Sequence, residues 1–199
     1  GSKQYFGFQD EESMLFVVGG SQGSQCLNNF VLDNLEALLN RTQVCHQVGL
    51  KNFREYELSA KSALGILPEN LRKRYIMKPY FEDKALKIAY QASDFVLSRA
   101  GAGSIFEIAF FGKPSILVPL KGSANDHQSL NAYSYAKTGA GLVFEEENLK
   151  PNLILDQMKN ILSDENRLKS MKEAARAFAK PDAARQIGKE ILDVVGVSL

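Results

Sequence analysis

The feature that most constrains this chain is a rhythm in which short apolar runs rich in Val, Ile and Leu alternate with longer stretches of helical period. A strand that is apolar throughout, rather than on every second residue, has both faces covered, and helical crossovers supply that cover. Strands are expected at about Met14 to Gly19, Gln43 to Val48, Tyr75 to Pro79, Phe95 to Ser98, Ser115 to Val118 and Gly141 to Phe144. Helices are expected over Leu27 to Leu39, Lys84 to Ala92, Ser104 to Phe111 and Gln128 to Lys137; Ser93-Asp94 stops the second and Gly112-Lys113-Pro114 the third. The tail from Pro151 to Val195 is helical in pattern, broken at Pro181-Asp182 because proline cannot continue a hydrogen-bonded helix. The fold class is therefore α/β, a Rossmann-like parallel sheet of six strands flanked by helices.

With 199 residues and 45% hydrophobic content, the chain can bury a sizeable core, and residues 3–199 are expected to form one domain. Gly1-Ser2 reads as the remnant of a cleaved tag. Lys plus Arg (24) nearly cancels Asp plus Glu (23), and a net charge of +1 supplies no field to gather nucleic acid, which is not expected as a partner. Cys26 and Cys45 have neither the spacing nor the company of a disulfide framework or a zinc site, which fits a reducing, cytoplasmic compartment. No apolar run approaches the roughly 20 residues that cross a bilayer. The chain opens almost directly on a strand, and a full enzyme is expected to carry something before it.

In an open parallel sheet, ligands bind beyond the carboxyl ends of the strands, where loops lead into helix N-termini. Four such loops carry unusual residues. The first strand leads into Gly19-Gly20-Ser21-Gln22-Gly23-Ser24, where glycines permit positive φ and close approach of a phosphate to free N–H groups; the same turn also serves plain tight packing. It is neither GxGxxG nor a P-loop. The fourth strand leads into Arg99-Ala100-Gly101-Ala102-Gly103-Ser104-Ile105-Phe106-Glu107, in which two glycines turn the chain into a helix. N–H groups near Gly103 and Ser104, with the Ser104 hydroxyl, suit a diphosphate, and Glu107 one turn on suits the hydroxyls of a ribose. Ser104 as an N-cap with Glu107 as its capping-box partner is the other reading. The fifth strand leads through Gly122-Ser123-Ala124-Asn125 to Asp126-His127-Gln128, a helix start whose polar groups suit sugar hydroxyls or a solvated first turn. Tyr80-Phe81 follows the third strand and offers an aromatic wall and backbone groups to a flat base, or belongs to the core. His46 is a hydrogen-bonded core histidine by default.

Taken in order, Gly19 to Gly23 (GGSQG), His46-Gln47, Arg99 through Glu107 and Asp126-His127-Gln128 with Asn131-Ala132 resemble the C-terminal domain of the MurG family, bacterial N-acetylglucosaminyltransferases that convert lipid I to lipid II. The resemblance covers nearly the whole chain. It departs at Ser24-Gln25, where the family usually has Ala-Arg, and at Gly103, where a larger residue is common. It implies a GT-B glycosyltransferase of which this chain is the UDP-N-acetylglucosamine-binding half, with Phe81 holding uracil through its backbone, Glu107 the ribose, and Gly103, Ser104 and Ser21 the diphosphate. His127 and Gln128 would take the sugar, and Arg99 would lie close to the donor. It further implies an inverting transfer with no metal, the absence of DxD agreeing, and with no other cofactor. The catalytic base and the lipid I site would lie in an N-terminal acceptor domain, so this chain alone should turn over little. The full protein would sit peripherally on the cytoplasmic face of the inner membrane. Two alternatives stay open: the donor-binding subunit of another GT-B N-acetylglucosaminyltransferase, and a non-catalytic UDP-sugar-binding module.

Overall fold

The computed structural model describes residues 1–51, 53–123 and 126–194, so Ala124, Asn125 and Val195 of the expectations above lie outside the described residues. Six strands form: β1 (Met14–Val18), β2 (Gln43–Gln47), β3 (Tyr75–Lys78), β4 (Phe95–Arg99), β5 (Ser115–Val118) and β6 (Gly141–Val143). Each begins where a strand is expected from the sequence and ends within a residue of the expected end. They make one sheet in the order β3-β2-β1-β4-β5-β6, and every pair is parallel.

Side chains alternate across the sheet with period two, so β1 feeds two cores at once. Leu15 and Val17 pack on one face with Leu27, Val31, Leu38, Leu97, Ile116, Ile154 and Ile161. Met14, Phe16 and Val18 pack on the other with Cys45, Tyr90, Val96, Ile108, Leu117 and Tyr135. Phe16 is fully buried, and burial of a side chain of that size contributes about 1.5 to 3 kcal/mol.

The helices are α1 (Gln25–Asp33), α2 (Leu35–Leu39), α3 (Phe53–Gly65), α4 (Glu69–Arg72), α5 (Asp83–Ala92), α6 (Ala102–Phe110), α7 (His127–Lys137), α8 (Pro151–Leu162), α9 (Glu165–Phe178) and α10 (Ala183–Val194). Two expectations need correction. The helix expected over Leu27 to Leu39 breaks at Asn34, whose side-chain amide donates to Phe30 O at 2.8 Å and competes with the backbone ladder. The tail breaks at Ser163-Asp164 as well as before α10, because Asp164 Oδ1 accepts from Arg167 N at 3.0 Å and caps a new helix. No helix among the described residues is long and apolar enough to cross a membrane.

The sheet's connection reverses after β3, when the chain returns to lay β4 beside β1. The carboxyl ends of β1 and β4 therefore diverge into helices on opposite faces and leave a crevice between their loops.

Candidate functional site

That crevice is a cleft of about 570 Å³ lined by the first loop from Gly19 to Cys26, by Arg99, Gly101 and Ser104, and by Leu120, Gln128 and Glu146. Of the residues singled out from sequence, Ser21, Arg99, Ser104 and Gln128 meet there. Gly103 adjoins Ser104 at the start of α6. Phe81, Glu107 and His127 do not line it.

The first loop is shaped by its glycines. Gly20 and Gly23 have φ of 85° and 77°, and Gly23 N donates to Gly20 O at 3.2 Å. A Cβ on Gly23 would fall 1.9 Å from Val48 O, and one on Gly49 would fall 2.4 Å from Gln22 O. Only glycine lets the loops after β1 and β2 cross this closely. Gln47 holds the crossing from below: its Nε2 donates to Gly20 O at 3.2 Å and its Oε1 accepts from Phe81 N at 2.9 Å.

The glycines before α6 act differently. Gly101 and Gly103 lack positive φ, and a Cβ on either would meet nothing within 4 Å, so neither is needed to turn the chain as expected. What they leave is open approach to the helix end. Gly101 is the N-cap and makes no side-chain cap bond, and the first ladder bond runs from Ile105 N to Gly101 O at 3.0 Å. The N–H groups of Ala102, Gly103 and Ser104 thus precede the ladder, at the positive end of the helix dipole. Ser104 is the third residue of the helix, not its cap, which removes the capping-box reading of Ser104 and Glu107.

Glu107 is not part of that lining, and its Oε2 accepts from the Tyr90 hydroxyl at 2.9 Å. Burial, and then the charge of Glu107, push the Tyr90 hydroxyl well above its usual pKa, so Tyr90 remains a donor. Phe81 differs from an aromatic wall. Its ring packs edge-on against Phe6 and Phe16, each at 5.9 Å, and its N–H is already taken by Gln47. Its carbonyl is what a base could still reach, and Tyr80, 40% exposed, is the ring at the surface.

Arg99 is buried, and most of its guanidinium is engaged within the protein. Nε donates to Ser24 Oγ at 2.8 Å, Nη1 to Val118 O and Pro119 O at 3.2 Å each, and Nη2 lies 2.5 Å from Glu146 Oε1. Ser24 Oγ also caps α1 by accepting from Leu27 N at 3.3 Å. The guanidinium therefore ties together the ends of β1, β4 and β5 through Nε and Nη1, and its charge is paired with Glu146 on the turn after β6.

Gln128, in the first turn of α7, accepts from Leu120 N at 3.1 Å through Oε1, which aims its Nε2 donors elsewhere. Asn131 Nδ2 donates to Ala100 O at 3.3 Å and couples α7 to the loop before α6. His127 is exposed at the first position of α7.

His46 is a core group. Asn28 Nδ2 donates to Val48 O, so Asn28 Oδ1 accepts from His46 Nε2 at 3.0 Å, while Nδ1 accepts from the Tyr75 hydroxyl at 2.9 Å. Burial lowers its pKa to about 3, so it stays neutral.

Sequence reasoning missed Gln47 as a brace and Glu146 as the partner of Arg99. Glu146 sits in a Glu145-Glu146-Glu147 run that reads as solvated surface. The available signal was Arg99 itself, a cation in an apolar strand that needs an anion. Among the described residues no group of three or more His, Cys, Asp or Glu is placed to hold a metal ion.

Residues 14–187 match the glycosyltransferase family 28 C-terminal domain. The chain is 32% identical over 193 residues to the UDP-N-acetylglucosamine--N-acetylmuramyl-(pentapeptide) pyrophosphoryl-undecaprenol N-acetylglucosamine transferase of Chlorobium limicola, covering 97% of this chain and 50% of that protein. It is 37% identical over 175 residues to the protein of the same description from Clostridium tetani, covering 87% of this chain and 45% of that one. Among solved structures, MurG of Acinetobacter baumannii aligns with a TM-score of 0.71 at 27% identity, over 96% of this chain and 53% of that chain. A UDP-N-acetylglucosamine 2-epimerase of Listeria monocytogenes shares the fold, with a TM-score of 0.63 at 16% identity over 97% of this chain and 47% of that one. The chain thus spans about half the length of the curated relatives it matches.

Proposed function

This chain belongs to the family of glycosyltransferase family 28 C-terminal domains, and from that premise we propose that residues 3–199 are the donor-binding half of an inverting GT-B enzyme that transfers N-acetylglucosamine from UDP-N-acetylglucosamine to lipid I. The observation that carries this reading is the start of α6: three N–H groups precede the helical ladder, uncapped, beside a glycine loop at the sheet's reversal point. A diphosphate is the ligand whose charge and oxygen spacing use such a group of donors.

The lipid I C4 hydroxyl attacks the anomeric carbon, its proton passes to a base in the acceptor half, and UDP leaves. The N–H groups of Ala102, Gly103 and Ser104, with the Ser104 hydroxyl and the Ser21 loop, stabilise the charge that grows on the leaving diphosphate. Because these donors are fixed by the backbone, they need no reorganisation as the bond breaks. Glu107 accepts the ribose hydroxyls through the oxygen that Tyr90 leaves free, and the loop at Phe81 presents its carbonyl to uracil. Gln128 and His127 act on the sugar. The diphosphate is bound without a metal, and catalysis waits for the acceptor half, through which the enzyme meets lipid I on the cytoplasmic face of the membrane.

Amide chemical shifts of the labelled protein test the assignment. UDP should move the resonances of Ala102, Gly103 and Ser104 first, and joining the chain to an acceptor half should yield sugar transfer to lipid I. Shifts confined to other loops would withdraw the proposal.

A further inference from the structure

The cleft lining holds two charged side chains among the described residues, Arg99 and Glu146, and they face each other. We propose that Glu146 is an affinity-tempering residue: it cancels the charge of Arg99 so that a nucleoside diphosphate is held by neutral N–H groups and is released readily. This rests on the donor-binding reading above.

Three observations support it. First, Arg99 does not need Glu146 to stay in place, because Ser24 Oγ and the carbonyls of Val118 and Pro119 already fix Nε and Nη1. What Glu146 adds at Nη2 is chiefly charge. Second, the neighbouring acids are engaged elsewhere: Glu145 accepts from the Tyr133 hydroxyl at 2.8 Å, and Glu147 pairs with Lys121. Of the three, Glu146 is the one that lines the cleft, its side chain 29% exposed against 66% for Glu147. Third, both charges are felt at Cys26, another cleft residue, whose thiol is raised by burial and then by Glu146, and lowered by Arg99. An uncancelled arginine here would attract the diphosphate of substrate and product alike. Uniform binding of that kind slows departure of UDP without helping the chemical step.

Glu146→Gln keeps the size of the side chain and removes the charge. Titration of UDP, UMP and uridine into both proteins should show UDP bound about tenfold tighter by the variant, the size expected for one charge acting across a surface cleft on a dianionic group. UMP should gain less and uridine nothing, and about 1 M salt should erase the gain. Glu147→Gln, which removes the same charge from the paired outer residue, should gain less than Glu146→Gln. Alkylation of Cys26 by iodoacetamide should be faster in Glu146→Gln, since its thiol loses an anionic neighbour; Cys45 is fully buried and pushed up by burial, so Cys26 carries the signal. UDP binding unchanged or weaker in Glu146→Gln, or a gain shared by uridine, overturns the proposal while leaving donor binding intact. Failure of both proteins to bind UDP instead sinks the donor-binding reading, and unchanged alkylation sinks charge cancellation on its own. Should Glu146→Gln fail to fold, the unaltered protein decides: a steep loss of UDP affinity with salt would mean that an uncancelled cation holds the phosphates.

Discussion

Replacing Glu107 by glutamine separates ribose binding from structural support. Among the described residues Glu107 has one side-chain hydrogen bond, the Tyr90 hydroxyl donating to Oε2 at 2.9 Å, and Tyr90 is fully buried. Glu107→Ala would orphan that hydroxyl at a cost of about 1 to 3 kcal/mol in stability, which would confuse any loss of binding. Glu107→Gln leaves an amide oxygen to accept from Tyr90, so the fold should lose at most about 1 kcal/mol, while a ribose hydroxyl exchanges a charged partner for a neutral one. Hydrogen bonds to charged groups are worth about 1.5 to 3 kcal/mol and neutral ones about 0.5 to 1.5, so UDP should bind about 1 to 2 kcal/mol more weakly. Calorimetric titration of UDP and 2′-deoxy-UDP into both proteins reads the effect, with thermal denaturation as the check on folding. The unaltered protein should prefer UDP, and Glu107→Gln should narrow that preference. An unchanged ratio between the two nucleotides would mean that the carboxylate serves Tyr90 and not a ribose.

Gly23→Ala and Gly103→Ala should act in opposite directions in thermal denaturation: the first puts a methyl 1.9 Å from Val48 O at positive φ and should cost more than about 2 kcal/mol, whereas the second meets nothing within 4 Å and should stabilise by about 0.5 to 1 kcal/mol. Destabilisation by both would refute the assignment of crossing and open glycines. Gln128→Ala should cost UDP-N-acetylglucosamine about 0.5 to 1.5 kcal/mol and UDP almost nothing in the same titration. Equal losses would mean that its bond to Leu120 N, not a sugar contact, is its role. His46 has its folded pKa lowered from 6.5 to about 3, so below pH 6.5 the unfolded chain binds a proton that the native state refuses. Stability from this group is therefore complete above about pH 6.5 and should fall by about 1.4 kcal/mol per pH unit toward pH 3, measured by urea unfolding. A flat stability between pH 6 and pH 4, once compared with a His46→Gln variant, would contradict the buried neutral histidine.

The sheet was legible because runs such as Met14 to Val18 are apolar at every position, short and followed by glycines, which suits a strand covered on both faces. Helices α3 and α4 were not identified, since the stretch from Phe53 to Arg72 is crowded with charge and buries few side chains. The loops were legible as loops, but not which glycine each one needs. Gly23 and Gly103 look alike in sequence, and only the crossing with Val48 and Gly49 separates them. Arg99 was visible as a residue of the site while its role was not, because its partners arrive from Ser24, Val118, Pro119 and Glu146, which no local pattern connects. Gln47 was read as half of a motif, and its work as a brace between Gly20 and Phe81 appears only when β1, β2 and β3 lie side by side.

The most direct test of donor binding is calorimetry of this chain with UDP-N-acetylglucosamine, UDP-N-acetylgalactosamine and UDP-glucose, each with EDTA and again with magnesium. UDP-N-acetylglucosamine should bind in EDTA, compete with UDP for one site and exceed the other two sugars in affinity. Binding that requires magnesium, or no preference among the three sugars, would contradict a metal-free site for this donor.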